Sequence, residues 1–182
     1  MKNIIRTIFI MFIIVGLLLM SCNKLYTHNK LKKDKEMVDT FFKTESLSNK
    51  NKANNNYFFV IEIPKIDLKR VVYNIDSSHN NVNENITVLK NSSDIMLLAA
   101  HSGNASISYF KNLYKLSKGD SIYLYYYNKT LIYEVVNYYE EAKDGDITIL
   151  DNTNNKKLIL TTCKGINKQL VYISYLKNEL SY

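Results

Sequence analysis

The sequence predicts an all-β or mostly-β domain folded as a closed or nearly closed, antiparallel-rich barrel and preceded by an N-terminal membrane segment. Three observations lead there. Tyr (15 residues), Ile, Val and Phe are plentiful after Tyr57 while the chain has only 5 Gly and 1 Pro, a composition that favours strands over helices. Strand-like runs follow one another with little helical periodicity between them. An apolar stretch near the start has no counterpart later in the chain, and once it is set aside the 182 residues leave one respectable core, hence one domain.

Residues 4–20 are apolar apart from Arg6, Thr7 and Gly16 and follow a basic start at Lys2, the pattern of a signal-anchor or a signal peptide over residues 1–22. Leu19-Met20-Ser21-Cys22 also has the form of a bacterial lipobox, which would make Cys22 a lipidated N-terminus. Lys24, Lys30, Lys32, Lys33 and Lys35 follow the segment and only Lys2 and Arg6 precede it, an asymmetry that by itself favours the opposite orientation. Residues 23–56 read as a polar stalk or linker with one helical piece around Met37, Val38, Phe41 and Phe42, and its Asn-rich part, 48–56, as a flexible linker.

The domain spans 57–182. Residues 57–63 form a strand stopped by Pro64, and a second strand covers 70–73. An Asn-rich loop, 74–85, leads to a continuous apolar run at 95–100, typical of a buried strand, with His101 at its end. Ile107, Phe110, Leu113, Tyr114 and Leu116 have roughly helical spacing and predict a short helix over 106–116, closed by the turn Lys118-Gly119-Asp120. Strands at 121–127 and 130–139 form a hairpin through Asn128-Lys129. Strands at 157–162 and 169–176 finish the sheet, separated by Cys163 and the short loop 164–168.

The formal net charge of +7 is spread thinly, with much of the excess in 24–35. Without any nucleic-acid-binding signature it implies solubility, with an anionic membrane surface or wall polymer as a neighbour, and no nucleic-acid partner. No cofactor and no metal ion is expected. The two cysteines, Cys22 and Cys163, lie in such different contexts that a structural disulfide is not expected. In an exported domain an unpaired thiol invites oxidation, so Cys163 is better explained by chemistry than by packing; the competing explanation is a small buried hydrophobe. A cysteine nucleophile needs a base or cation nearby, because the thiolate is the reactive form. Of the three histidines, His28 lies in the stalk and His79 in a polar loop, whereas His101 terminates a buried strand beside Ser102 and Gly103. Strand ends support functional side chains on a rigid sheet while leaving them open to solvent.

Ile159-Leu160-Thr161-Thr162-Cys163 resembles the Thr-Leu-x-Thr-Cys signature of sortases, differing in its first residue, and Leu98-Ala99-Ala100-His101-Ser102 resembles their Leu-Ala-Gly-His-Arg/Ser segment. Residues 110–120 look like the family's stretch before a strand hairpin, and Ile63-Pro64-Lys65-Ile66 like its Ile-Pro-Lys-Ile start, so the resemblance covers nearly all of 57–176. It implies an eight-stranded sortase barrel with one or two short helices, attached to the cell membrane by a single pass with the catalytic domain outside the cytoplasm. It also implies a cysteine transpeptidase, with Cys163 as nucleophile and His101 as proton donor and acceptor. Secreted proteins bearing a Leu-Pro-x-Thr-Gly-like sorting signal would supply the acyl group, and a cell-wall precursor or a pilin lysine the acceptor amine.

The sequence departs from the family where sortases carry an arginine at the start of the strand after the cysteine. Gln169 stands there, preceded by Lys168, and neither Arg6 nor Arg70 fits the position. Gln169 keeps an N–H donor, a group worth about 2.7 to 4 kcal/mol when aimed at a developing oxyanion, but lacks the charge and the bidentate fork. Two alternatives therefore stand beside the active enzyme: a catalytically weak pseudo-sortase that binds peptide or wall fragments, and a lipoprotein whose Cys163 is buried and inert.

Overall fold

A computed structural model describes residues 2–47, 57–149 and 153–182 and divides into two compact units, Met1–Glu36 and Met37–Tyr182. The first unit is helical throughout its described residues, the leading part of one helix, α1, Lys2–Leu47. Its apolar side chains all face outward; Phe9, Phe12 and Leu19, for example, are each more than half exposed. A helix apolar all round needs lipid or protein around it. This one is long and apolar enough to cross a membrane, a description that signal sequences also meet.

The stalk expected from 23 onward is helical as far as Leu47, because Lys, Leu and Glu are good helix formers and i, i+4 pairs such as Lys32–Glu36 (4.0 Å) support them. The linker expected at 48–56 lies outside the described residues. Met37, Val38, Phe41 and Phe42 make a single stripe on the end of α1, and in the second unit this stripe is buried against Val60, Val71 and Tyr73. Phe41 stacks on Tyr127 with ring centroids 4.5 Å apart, and Phe42 meets Tyr125 edge-on at 5.5 Å.

Eight strands make up the sheet: β1 Tyr57–Ile63, β2 Leu68–Tyr73, β3 Thr87–Asn91, β4 Ile95–Ala99, β5 Ser121–Tyr126, β6 Lys129–Ala142, β7 Lys157–Lys164 and β8 Lys168–Ser181. Their order is β2-β1-β5-β6-β8-β7-β4-β3, a nearly closed barrel in which every pairing is antiparallel except β4 with β7. β3 falls between the Asn-rich loop 74–85 and the apolar run at 95–100, where the sequence predicts no element, since five residues ending in Lys-Asn carry too little alternation to announce a strand. The short helix expected over 106–116 is confined to its end, and no α-helix forms there. That segment is a series of turns ending in a single 3-10 turn, Leu113–Lys115. Its amides bond three residues back, Ser108 to Ala105 and Leu113 to Phe110, both at 3.0 Å. Ser106, Ser108 and Asn112 favour turns over helix interiors, and the periodic apolar residues Phe110, Leu113 and Leu116 plug the barrel instead.

Alternation along the strands gives the sheet two apolar faces across β8, β7 and β4. Leu158, Leu160, Leu170 and Tyr172 point into the main core, while Ile159, Val171 and Ile173 form a second cluster on the outer face. This accounts for the near-continuous apolar reading of β7, a strand buried on both sides. If the end of α1 belongs to the folded domain, Phe41→Ala should lower its stability by about 3 to 5 kcal/mol. Urea denaturation checks this, and an unchanged midpoint would detach the helix end from the domain's energetics.

Candidate active site

β4 and β7 run parallel and in register, pairing Ile95 with Lys157, Leu97 with Ile159 and Ala99 with Thr161. Two residues beyond the last pair, the chains carry His101 and Cys163 respectively, so the register brings to one end of the sheet two residues that are 62 positions apart, 163 minus 101. The pairing continues past the ladder by other means. Ala100 N–H donates to the Thr161 carbonyl at 3.4 Å, the Thr162 hydroxyl donates to the Ala100 carbonyl at 2.6 Å, and the Ser102 hydroxyl donates to the Cys163 carbonyl. Side-chain hydroxyls thus take over where backbone bonds run out. Thr162 and Ala100 are both 4% exposed, so this clamp is buried, whereas Cys163 and His101 are half-buried. A hydrogen bond inside the sheet loses less to competing water than one at the surface.

Cys163 is a free thiol. Among the described residues it shares no hydrogen bond with the imidazole; such contacts are often long in a site without substrate. His101 is held at two points: its carbonyl accepts from Phe110 N–H at 3.0 Å, and its Nε2 lies 3.4 Å from Asn83 Oδ1. His79 stands elsewhere, 3.6 Å from Glu84 and beside the Tyr73 ring, and His28 lies in α1.

Gln169 is the direct cross-strand neighbour of Cys163, so the two side chains share the outer face. Its amide keeps its donors, and in this arrangement they point to the end of β6 and the segment after it. Both N–H groups are engaged, with Glu141 Oε1 at 3.0 Å and with the Asp146 carbonyl at 2.7 Å. Glu141 pairs with Gln169 on its other side and accepts Thr148 N–H at 3.1 Å, while the Tyr139 hydroxyl donates to the Thr148 carbonyl. Ile147 and Ile149 pack on the outer apolar cluster. Gln169 therefore fastens the segment after β6 beside the thiol. Lys168 lies 3.6 Å from Glu140, and the hydrogen bond from Lys164 is the main reason the Glu140 carboxyl titrates below its usual range. Asn83 and Glu141 went unmarked in the sequence, because an Asn in an Asn-rich loop and a Glu on an alternating strand carry no signal of their own.

A family model described as the sortase domain matches residues 61–177, more than half of the chain. The chain belongs to the sortase family. Among solved structures, this sortase is similar to sortase C of Streptococcus pneumoniae, with a TM-score of 0.68 at 18% identity over 81% of this chain and 99% of that one. Listeria monocytogenes sortase A gives 0.59 at 21% identity, over 70% and 92% of the two chains. A Clostridium perfringens sortase D5 transpeptidase gives 0.58 at 19% identity, over 81% and 95%. At these identities the likeness is one of fold. Among curated proteins no match was found.

The clamp yields a direct test. Thr162→Val keeps the shape but leaves the buried Ala100 carbonyl without its donor, and should cost about 1 to 3 kcal/mol. Thr162→Ser should restore most of it. Denaturant midpoints of the three proteins decide, and equal midpoints would show that the hydroxyl carries no part of the β4–β7 junction.

Proposed function

We propose that this sortase is an active cysteine transpeptidase that cleaves a Leu-Pro-x-Thr-Gly-like sorting signal and joins the acyl fragment to a cell-wall or pilin amine. The observation that supports this reading best is the in-register β4–β7 pair, with His101 and Cys163 each two residues past its last rung. In the proposed reaction the Cys163 sulfur, as thiolate, attacks the threonine carbonyl carbon and the electron pair of the C=O moves onto oxygen. Collapse of that intermediate breaks the C–N bond, and the His101 imidazolium gives its proton to the departing glycine amine. An acceptor amine, deprotonated by the now neutral His101, attacks the thioester; the C–S bond breaks, an amide forms, and the thiolate is regenerated. α1 holds the domain at the membrane, on its outer side, where sorting signals and wall precursors meet it.

A second reading is favoured by one feature. Gln169 spends its donors on Glu141 and Asp146, and no arginine stands in its place, so a weakly active, peptide-binding module has a structural basis. Mixing the full chain in detergent with Leu-Pro-x-Thr-Gly-type peptides separates the two. The enzyme reading expects a thioacyl adduct by mass spectrometry that is lost in Cys163→Ala. Peptide binding without adduct or product would leave the binding module.

A further inference from the structure

Arg70 is one of two arginines in the chain, with Arg6, and it is 3% exposed. A guanidinium is expensive to bury unless its donors and its planar face are used. Here the face lies on the Tyr109 ring, with Cζ 3.9 Å from the centroid, and an Nη donates to Asn85 Oδ1 at 3.1 Å. Both neighbours continue the network toward His101. The Asn85 side-chain amide donates to the His79 carbonyl at 3.0 Å, and the Tyr109 hydroxyl to the Glu84 carbonyl at 3.2 Å. Glu84 and Asn85 N–H groups bond back to the Asn81 carbonyl, at 3.0 and 2.8 Å, so residues 81–85 form one tight turn. Asn83 projects from that turn and brings its Oδ1 to His101 Nε2. On the other side, Tyr109 is adjacent to Phe110, whose N–H holds the His101 carbonyl. The guanidinium thus ties together the two pieces of chain that touch His101 from its side chain and from its backbone.

We propose that Arg70 is a positioning residue for His101, acting through Asn85 and Tyr109 to set the 81–85 turn so that Asn83 accepts the Nε2 proton and leaves Nδ1 as the basic nitrogen. This rests on the reading that His101 serves Cys163. Which ring nitrogen carries the proton in a neutral imidazole is set by the partner of the other, and a geometric slip of an ångström at such a group costs about a hundredfold in rate. Arg70→Lys keeps the charge but loses the flat face and the fork. Asn83→Ala removes only the last contact, on an exposed side chain, and keeps the backbone bond from Asn83 N–H to Asn81 Oδ1 that belongs to the turn.

The test uses the full chain in detergent with Cys22→Ser, so that Cys163 is the one thiol. Its alkylation rate by iodoacetamide is followed against pH, with His101→Ala as the reference, alongside kcat and KM for peptide cleavage. Both Asn83→Ala and Arg70→Lys should displace the pH profile toward that of His101→Ala and lower kcat roughly ten- to a hundredfold with KM little changed. A folded Asn83→Ala with the parent's profile and kcat overturns the proposal, and this holds even if Arg70→Lys fails to fold. If His101→Ala itself leaves the profile unmoved, the Cys163–His101 reading falls and the inference falls with it.

Discussion

The parallel pairing of β4 with β7, the single one among the described residues, is the constraint on which the rest of the site depends. Antiparallel neighbours can be joined by a short turn, but a parallel pair needs a long crossover, and here the chain travels through the 101–116 plug, the β5–β6 hairpin and the segment after it before β7 begins. The return is worth that length because parallel strands end together. His101 and Cys163 emerge at the same end of the sheet, His101 two residues past β4 and Cys163 one residue before the end of β7, and neither buried strand can shift by one residue without turning its apolar side chains from one face to the other.

Packing on both faces holds that register. Leu158 and Leu160 belong to the barrel interior and Ile159 to the outer cluster, so β7 is gripped from two sides up to the residue before the thiol. Beyond the last ladder pair, Thr162 and Ser102 extend the junction with their hydroxyls. The same sheet edge then acquires its walls. The segment after β6 is fastened through Glu141 and Gln169, and the 81–85 turn and Tyr109 are gathered around the buried Arg70.

Much of this was legible in the sequence, for reasons that can be stated. Strong alternation and β-branched or aromatic runs marked β1, β4, β5, β6, β7 and β8, and the residues at the ends of β4 and β7 stood out because Cys and His are scarce here and sat beside apolar runs. What stayed hidden depended on partners far away in sequence. The 106–116 segment has helical spacing, yet its apolar residues are spaced to plug a barrel, and its Ser and Asn residues take turns instead. Short β3 is a strand because β4 lies beside it. Gln169 could be aligned with the family's arginine, but its engagement with Glu141 and Asp146 follows from β6 meeting β8, which no local pattern reveals. Arg70 carries no local signal beyond an ordinary strand position, because Tyr109 and Asn85 reach it from distant parts of the chain.

The central claim is that register places residues 101 and 163 side by side, and a covalent trap tests it most directly. In a Cys22→Ser background, His101→Cys should form an intramolecular disulfide with Cys163 under mild oxidant, because paired strands hold Cα atoms at a spacing that a disulfide accepts. Two thiols that remain free to alkylating reagent in the folded, oxidised protein would contradict the account.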